Sequence, residues 1–218
     1  MPEACGFGMV SLIPALGDRC RYPALEHLLE ISIIQGDLLD SDAQALALTI
    51  DGSAPNLEGN IARQFSKRFP NEWAQIESQI DYPMSLGAAD SFTFETTNDK
   101  CPELVVLLST LHHDLSLGSS EKQAVAASAV RSALSLSKSN KMASLACPLM
   151  TGGWRQQPDR AALQTINTYF RASISTSLPS LELHINDGDT VGQIVELLTS
   201  QSYLRIETEK NRYLVHRA

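Results

Sequence analysis

The sequence predicts an α/β fold, because apolar strand-like runs alternate with helix-like segments from Ile31 to Ser200 and two of the strands end in glycine-bearing turns. The first strand ends at Gly36-Asp37. A later one runs through Cys147-Pro148-Leu149-Met150 into Thr151-Gly152-Gly153-Trp154, and Pro158-Asp159 opens the helix beyond it. A strand–loop–helix junction of this kind aims backbone N–H groups outward at a helix start, where they hold phosphate. In open α/β sheets ligands sit beyond the carboxyl ends of the strands, so two such strand ends can share one cleft. The pattern points to a nucleotide-type binder.

The segments follow in order. Residues 1–30 are punctuated by Gly6, Gly8, Pro14, Gly17 and Pro23, with a helical look only over Pro23 to Glu30, and read as an N-terminal extension. The main domain is expected over 31–200, and 201–218 as a C-terminal tail or hairpin. Ile31 to Gly36 reads as a strand, and Ala43 to Ile50 has the length and alternation of a central one. The turn-rich Asp51-Gly52-Ser53-Ala54-Pro55-Asn56 follows. Glu58 to Phe69 predicts a helix with Ile61, Phe65 and Phe69 on one face, interrupted by Pro70-Asn71 before a second helical piece through Trp73, Ile76 and Ile80. Ala88 to Glu95 and the Val/Leu-rich Leu104 to Leu111 read as strands. Ser120-Glu121-Lys122-Gln123 has the form of a capping box for a helix whose Val125, Ala129, Val130, Ala133 and Leu134 face inward. Strand Ala143 to Pro148, helix Asp159 to Ser175, strand Leu181 to Ile185, helix Val191 to Ser200 and a hairpin through Tyr203 to Val215 complete the series.

Composition narrows the function classes. At 218 residues and 43% hydrophobic the chain suits one α/β domain with a modest appendage. No run approaches the roughly 18 apolar residues of a membrane span, and the N-terminus lacks a basic stretch followed by an apolar one, so a cytoplasmic protein is expected. Cys5, Cys20, Cys101 and Cys147 are scattered, which gives neither a zinc spacing nor a disulfide framework. The formal charge of −8 opposes attraction to nucleic-acid phosphates. A bound phosphate must therefore be held locally, by backbone donors and Arg155. No G-x-S-x-G elbow, P-loop or G-x-G-x-x-G fingerprint is present. No cofactor or metal is expected.

The order of segments over residues 31–186 resembles the macrodomain family, the ADP-ribose-binding three-layer α/β/α fold with a mixed sheet flanked by helices. The resemblance rests on Gly36-Asp37 after the first strand, on Gly59-Asn60-Ile61-Ala62 opening the first helix, and on Pro148 with Thr151-Gly152-Gly153 after a late strand. The stretch from Ile61 to Pro70 looks most like the branch that removes ADP-ribose from acidic side chains or DNA bases. The resemblance implies that Gly36, Asp37 and Leu38 border the adenine, with Asp37 accepting from its amino group. A carboxylate only accepts and adenine N6 only donates, so the pairing is chemically sound. A helix cap is the other reading of Asp37. By the same likeness Gly59, Asn60 and Ile61 lie at the distal ribose and nearby phosphate, or mark an ordinary helix start. Pro148, Thr151, Gly152 and Gly153 match the second phosphate loop, and Trp154 falls against the distal ribose or serves as a core or interface anchor.

The catalytic positions depart from the family. Where many hydrolytic members carry asparagine after the second strand, this chain has Asp51-Gly52, and the glycine triplet has become Leu57-Glu58-Gly59-Asn60. The lysine of the acyl- and DNA-ADP-ribose hydrolases has no counterpart between Asp51 and Ile61, and Arg155 stands where the acyl branch places an aspartate. Glu58 and Asn60 put side chains where glycine lets the backbone approach a pyrophosphate. Asp51 with Asn60 is the candidate catalytic pair, within a set of acids (Asp37, Asp40, Asp42, Asp51) read as flanking the cleft mouth, where one can act as general base or two can hold Mg²⁺. His112-His113-Asp114 after a buried strand has the residue types of a metal site or an acid–base pair, but adjacent residues of an extended chain point to opposite sides, so one packed and one exposed histidine is expected. Three functions remain open: a non-catalytic reader of ADP-ribose or an ADP-ribosylated macromolecule, an ADP-ribosyl hydrolase with a changed catalytic set, or a protein-interaction module with a degenerate cleft that uses Trp154 and the tail from Ser200 to Ala218.

Overall fold

The computed structural model describes residues 30–55, 59–94, 101–150 and 156–218. Its eight strands are β1 (Ile31–Gln35), β2 (Ala45–Asp51), β3 (Ala89–Thr93), β4 (Leu104–Leu111), β5 (Ser144–Pro148), β6 (Ser180–Ile185), β7 (Leu204–Glu209) and β8 (Arg212–Arg217). The helices are α1 (Asn60–Arg68), α2 (Pro70–Gln79), α3 (Ser119–Ser139), α4 (Pro158–Ser173) and α5 (Gly188–Thr199), with one 3₁₀ turn at Leu38–Asp40. All strands join one mixed sheet in the order β3-β4-β2-β5-β6-β1-β8-β7. The five from β4 to β1 are mutually parallel, whereas β3 at one edge and the β7–β8 hairpin at the other run antiparallel to their neighbours.

Side-chain alternation divides the core into two layers. In β2, Ala45 and Ala47 join the cluster under α3, α4 and α5, while Leu46, Leu48 and Ile50 face the layer of α1 and α2. A one-residue slip would exchange these faces, so the register is strongly held. β4 is buried on both faces from Leu104 to Thr110, as its continuous apolar run predicts. Phe65 of α1 packs against Phe69 and Trp73 with ring centroids 4.9 and 6.3 Å apart. Phe69 leaves helical geometry, and Pro70, lacking an N–H, starts α2 at the position where none is needed.

The α3 cap is displaced from its sequence-based position. The Glu121 carboxylate accepts from the Gly118 N–H at 2.7 Å, so Gly118 rather than Ser120 is the N-cap, and only the glutamate half of the box exists. At the C-terminus the hairpin does more than follow the domain. β8 pairs with β1, and Val215 and Leu204 are buried in the larger core cluster. Among the described residues no helix is long and apolar enough to cross a membrane.

Candidate functional site at the strand ends

Because β4, β2, β5, β6 and β1 are parallel, their carboxyl ends line one edge of the sheet. That edge gathers Leu111 to His113, Asp51-Gly52, Pro148, Ile185 to Asp187 and Gly36-Asp37, in that spatial order. Helices α1 and α4 start from it, following β2 and β5. Neither N-cap residue supplies a side-chain cap: Gly59 before α1 and Gln157 before α4 accept only through their carbonyls, from the Arg63 and Ala161 N–H groups. At α4 Pro158 has no N–H and the Asp159 carboxylate accepts from the Arg160 N–H at 2.8 Å, whereas among the described residues no side chain caps the leading N–H groups of α1. In the neighbouring α5 the Asp187 carboxylate accepts from the Thr190 N–H at 2.8 Å. Of the three helix starts at this edge, α4 and α5 are thus closed by their own aspartates, and the α1 start is the one that suits an anion.

At the β1 end, Asp37 caps the 3₁₀ turn, its Oδ1 accepting from the Leu39 N–H at 3.0 Å. Capping engages one carboxylate oxygen and leaves the other free to accept from a ligand. Gly36 donates to the Ile185 carbonyl at 3.0 Å, and a side chain placed on it would meet no atom within 4 Å, so the rim beside Asp37 is open. The Leu38 side chain is buried in the core, and what it offers a ligand is main chain.

The β2 end is built more tightly. Pairing with β4 is regular up to Ile50 opposite Ser109, then shifts so that Asp51 lies opposite Leu111. Such a bulge re-aims the side chains beyond it. Asp51 Oδ1 accepts from the Ser53 N–H at 2.9 Å and from its hydroxyl at 2.5 Å. Asp51 Oδ2 accepts from the His113 N–H at 3.0 Å and lies 3.2 Å from His113 Nδ1. Burial opposes ionisation of Asp51, but the hydrogen bonds from Ser53 and His113 outweigh it and hold the carboxyl below its usual range. Gly52 is compelled by packing, because a Cβ there would sit 2.0 Å from Ser109 Oγ and 2.9 Å from the Met84 carbonyl. His112 Nε2 donates to that same carbonyl at 2.7 Å. One histidine is thus packed and its neighbour exposed, as strand alternation predicts. Beside them burial, together with the negative charges of Glu77 and Asp51, pushes the Tyr82 phenol up to about 12.

At the α1 start, a Cβ on Gly59 would come within 2.3 Å of the Thr49 carbonyl, so this glycine answers to the helix lying close on β2. Asn60 is exposed in the first turn and Ile61 packs on the core. Among the described residues the hydrogen-bond partners of Asp51 are Ser53 and His113, and Asn60 is not one of them. Pro148 ends β5 opposite His184 of β6. Thr151, Gly152, Gly153, Trp154 and Arg155 lie outside the described residues, as do Leu57 and Glu58.

Two of the acids read as flanking the cleft mouth do not. Asp40 and Asp42 belong to the β1–β2 crossover and line a recess of about 490 Å³ with Gln44, Arg68, Pro102 and Glu103, at the opposite, amino-terminal edge of β2 and β4. Asp40 is paired there with Arg68 at 2.7 Å. The crossover carries the chain from the carboxyl end of β1 to the amino end of β2, which separates Asp40 and Asp42 from Asp37. Conversely, Asn186, Asp187 and His113 lie at the strand-end edge with Asp37 and Asp51, because β6 and β4 are brought there by long-range pairing. Among the described residues no group of three or more His, Cys, Asp or Glu side chains is arranged to hold a metal.

No protein-family profile and no curated protein matches the sequence. Solved structures do. A variant of the Oceanobacillus iheyensis macrodomain superposes with a TM-score of 0.62 at 12% identity, covering 79% of this chain and 93% of that one. The chain has the macrodomain fold. The same Oceanobacillus macrodomain with ADP gives a TM-score of 0.57 at 13% identity, over 79% of this chain and 92% of that one. The macrodomain of Thermus aquaticus DarG gives 0.53 at 14% identity, over 71% and 97%. The macrodomain-like mixed sheet flanked by helices is therefore as the resemblance implied. In parallel α/β sheets ligands sit beyond the carboxyl ends of the strands, and in this chain that edge carries Asp37, Asp51 and the starts of α1 and α4.

Proposed function

We propose that this macrodomain binds ADP-ribose, or an ADP-ribosyl group on a macromolecule, along its strand-end edge. The observation that carries the reading is the α1 start, which Gly59 leaves without a side-chain cap, on the same strand-end edge as Asp37 and Asp51. Asp37 accepts from the adenine amino group with its free carboxylate oxygen. The pyrophosphate lies between, on main-chain donors at Gly59 to Ile61 and in the loop from Pro148 through Thr151, Gly152 and Gly153, with Trp154 against the distal ribose. A chain of net charge −8, with Asp37, Asp51, Asp187 and Asp189 near this edge, holds phosphate through backbone N–H groups in preference to cationic side chains. The Oceanobacillus iheyensis macrodomain has been solved with ADP and, as a variant, with ADPR, which supports a ligand of this class.

Asp37→Asn tests the assignment, because asparagine keeps the Oδ1 acceptor for the Leu39 N–H but turns an amide donor toward the adenine amino group. Affinity for ADP-ribose is expected to fall about tenfold or more with thermal stability essentially unchanged, as befits one lost hydrogen bond to a charged group. Unchanged affinity would remove adenine from Asp37.

A further inference from the structure

We propose that His113, oriented by Asp51 and Ser53, is the proton-handling residue for hydrolysis at the distal ribose of an ADP-ribosyl group seated in the cleft. The proposal rests on the binding reading above and adds turnover to it.

The hydrogen bonds determine the tautomer. Asp51 is ionised and can only accept. The Ser53 hydroxyl spends its single proton on Asp51 Oδ1 at 2.5 Å, so at its 2.8 Å contact with His113 Nδ1 the hydroxyl oxygen accepts. Nδ1 therefore carries the hydrogen, shared between Ser53 Oγ and Asp51 Oδ2 at 3.2 Å. Nε2 is left with its lone pair. The imidazole is 70% exposed, while the Asp51 carboxylate that holds it is 12% exposed. A carboxylate fixing Nδ1–H and freeing Nε2 is the arrangement a general base needs, and the His113 backbone N–H on the same oxygen anchors the residue at both ends. Ser53 is a positioning residue and not a nucleophile, since its proton is committed to the carboxylate and not to the imidazole. Asp51 is likewise positioning.

Location fits the ligand. Between β1, which carries Asp37, and β2, which carries Asp51, the sheet has three inter-strand steps, or about 14 Å. An extended nucleoside diphosphate sugar with its adenine at Asp37 covers that span and brings its distal ribose to the β2 and β4 ends. In the reaction, His113 Nε2 takes a proton from water as the water oxygen bonds to the anomeric carbon. The bond from that carbon to the leaving group breaks, and its electron pair goes to the leaving group. The imidazolium then returns the proton to the leaving group or to solvent, and no reactant other than water is consumed.

The test uses the full chain and, as probe, a glutamyl peptide bearing one ADP-ribosyl ester. Expected are release of ADP-ribose by the parent, a fall in kcat of at least about 100-fold in His113→Ala, and a KM and an ADP-ribose Kd within about twofold of the parent. Added imidazole should restore part of the lost rate, which no purely structural role of His113 would allow. Asp51→Asn should lower kcat in the same sense. Turnover retained in His113→Ala overturns the proposal. So does a parent that binds ADP-ribose by calorimetry and releases none, in which case the binding reading stands. A parent that does not bind ADP-ribose overturns both.

Discussion

Asp51 does structural work at the β2 end whatever passes through the cleft, since it ties the turn at Ser53 to the start of the β4–α3 connection at His113. Its carboxyl is held below the usual range in the folded protein, so the stability it contributes is present above the unfolded carboxylate value of about 3.9 and is lost as pH falls through the lower folded value. Urea unfolding of the parent and Asp51→Asn should show a gap near neutral pH that narrows by about pH 3. A gap independent of pH would mean that ionisation of Asp51 is not what the hydrogen bonds reward. Gly52→Ala should cost about 1–3 kcal/mol, because the new methyl group meets Ser109 and the Met84 carbonyl. Asp51 could be singled out in the sequence as an acid after a strand. His113 could not be joined to it, because their contact spans 62 positions and depends on β2 lying beside β4. Periodicity reports which face a residue occupies, never which distant strand it will meet.

Elements were largely legible, because each carries its own signal. The apolar run of β4 and the α1 stripe ending at Pro70 are local properties, and both form where the pattern puts them. The α3 cap was less so, since Gly118 has no side chain to advertise it and Ser120 does. Packing between elements shows in Tyr169 of α4, wholly buried with its hydroxyl donating to the Pro179 carbonyl at 3.0 Å. Tyr169→Phe should lower stability by about 1–2 kcal/mol, because it strands that carbonyl without opening a cavity. Gly59→Ala tests the α1–β2 approach. Its Cβ is directed at the Thr49 carbonyl, so the helix start must move, and a loss of about 1–3 kcal/mol is expected by thermal melting. No loss would mean that the glycine serves the ligand alone.

At the scale of the molecule, the sheet is extended to eight strands by the C-terminal hairpin, which covers the edge of β1 on which Gly36 and Asp37 depend. Truncation after Gln201 would unpair β1 and expose it as an edge strand, so self-association is expected by light scattering. A truncated chain that stays monomeric and folded would make the hairpin an appendage. The α/β class was readable from alternating patterns, but the strand order, and with it the company kept by Asp51 and the separation of Asp40 and Asp42 from the cleft, was fixed only by long-range packing. Binding of ADP-ribose along the strand-end edge is checked by calorimetric titration of ADP-ribose into the purified protein, with AMP and ADP alongside. Saturable binding that prefers ADP-ribose over both is the expected result, and no heat of binding at millimolar ligand would contradict it.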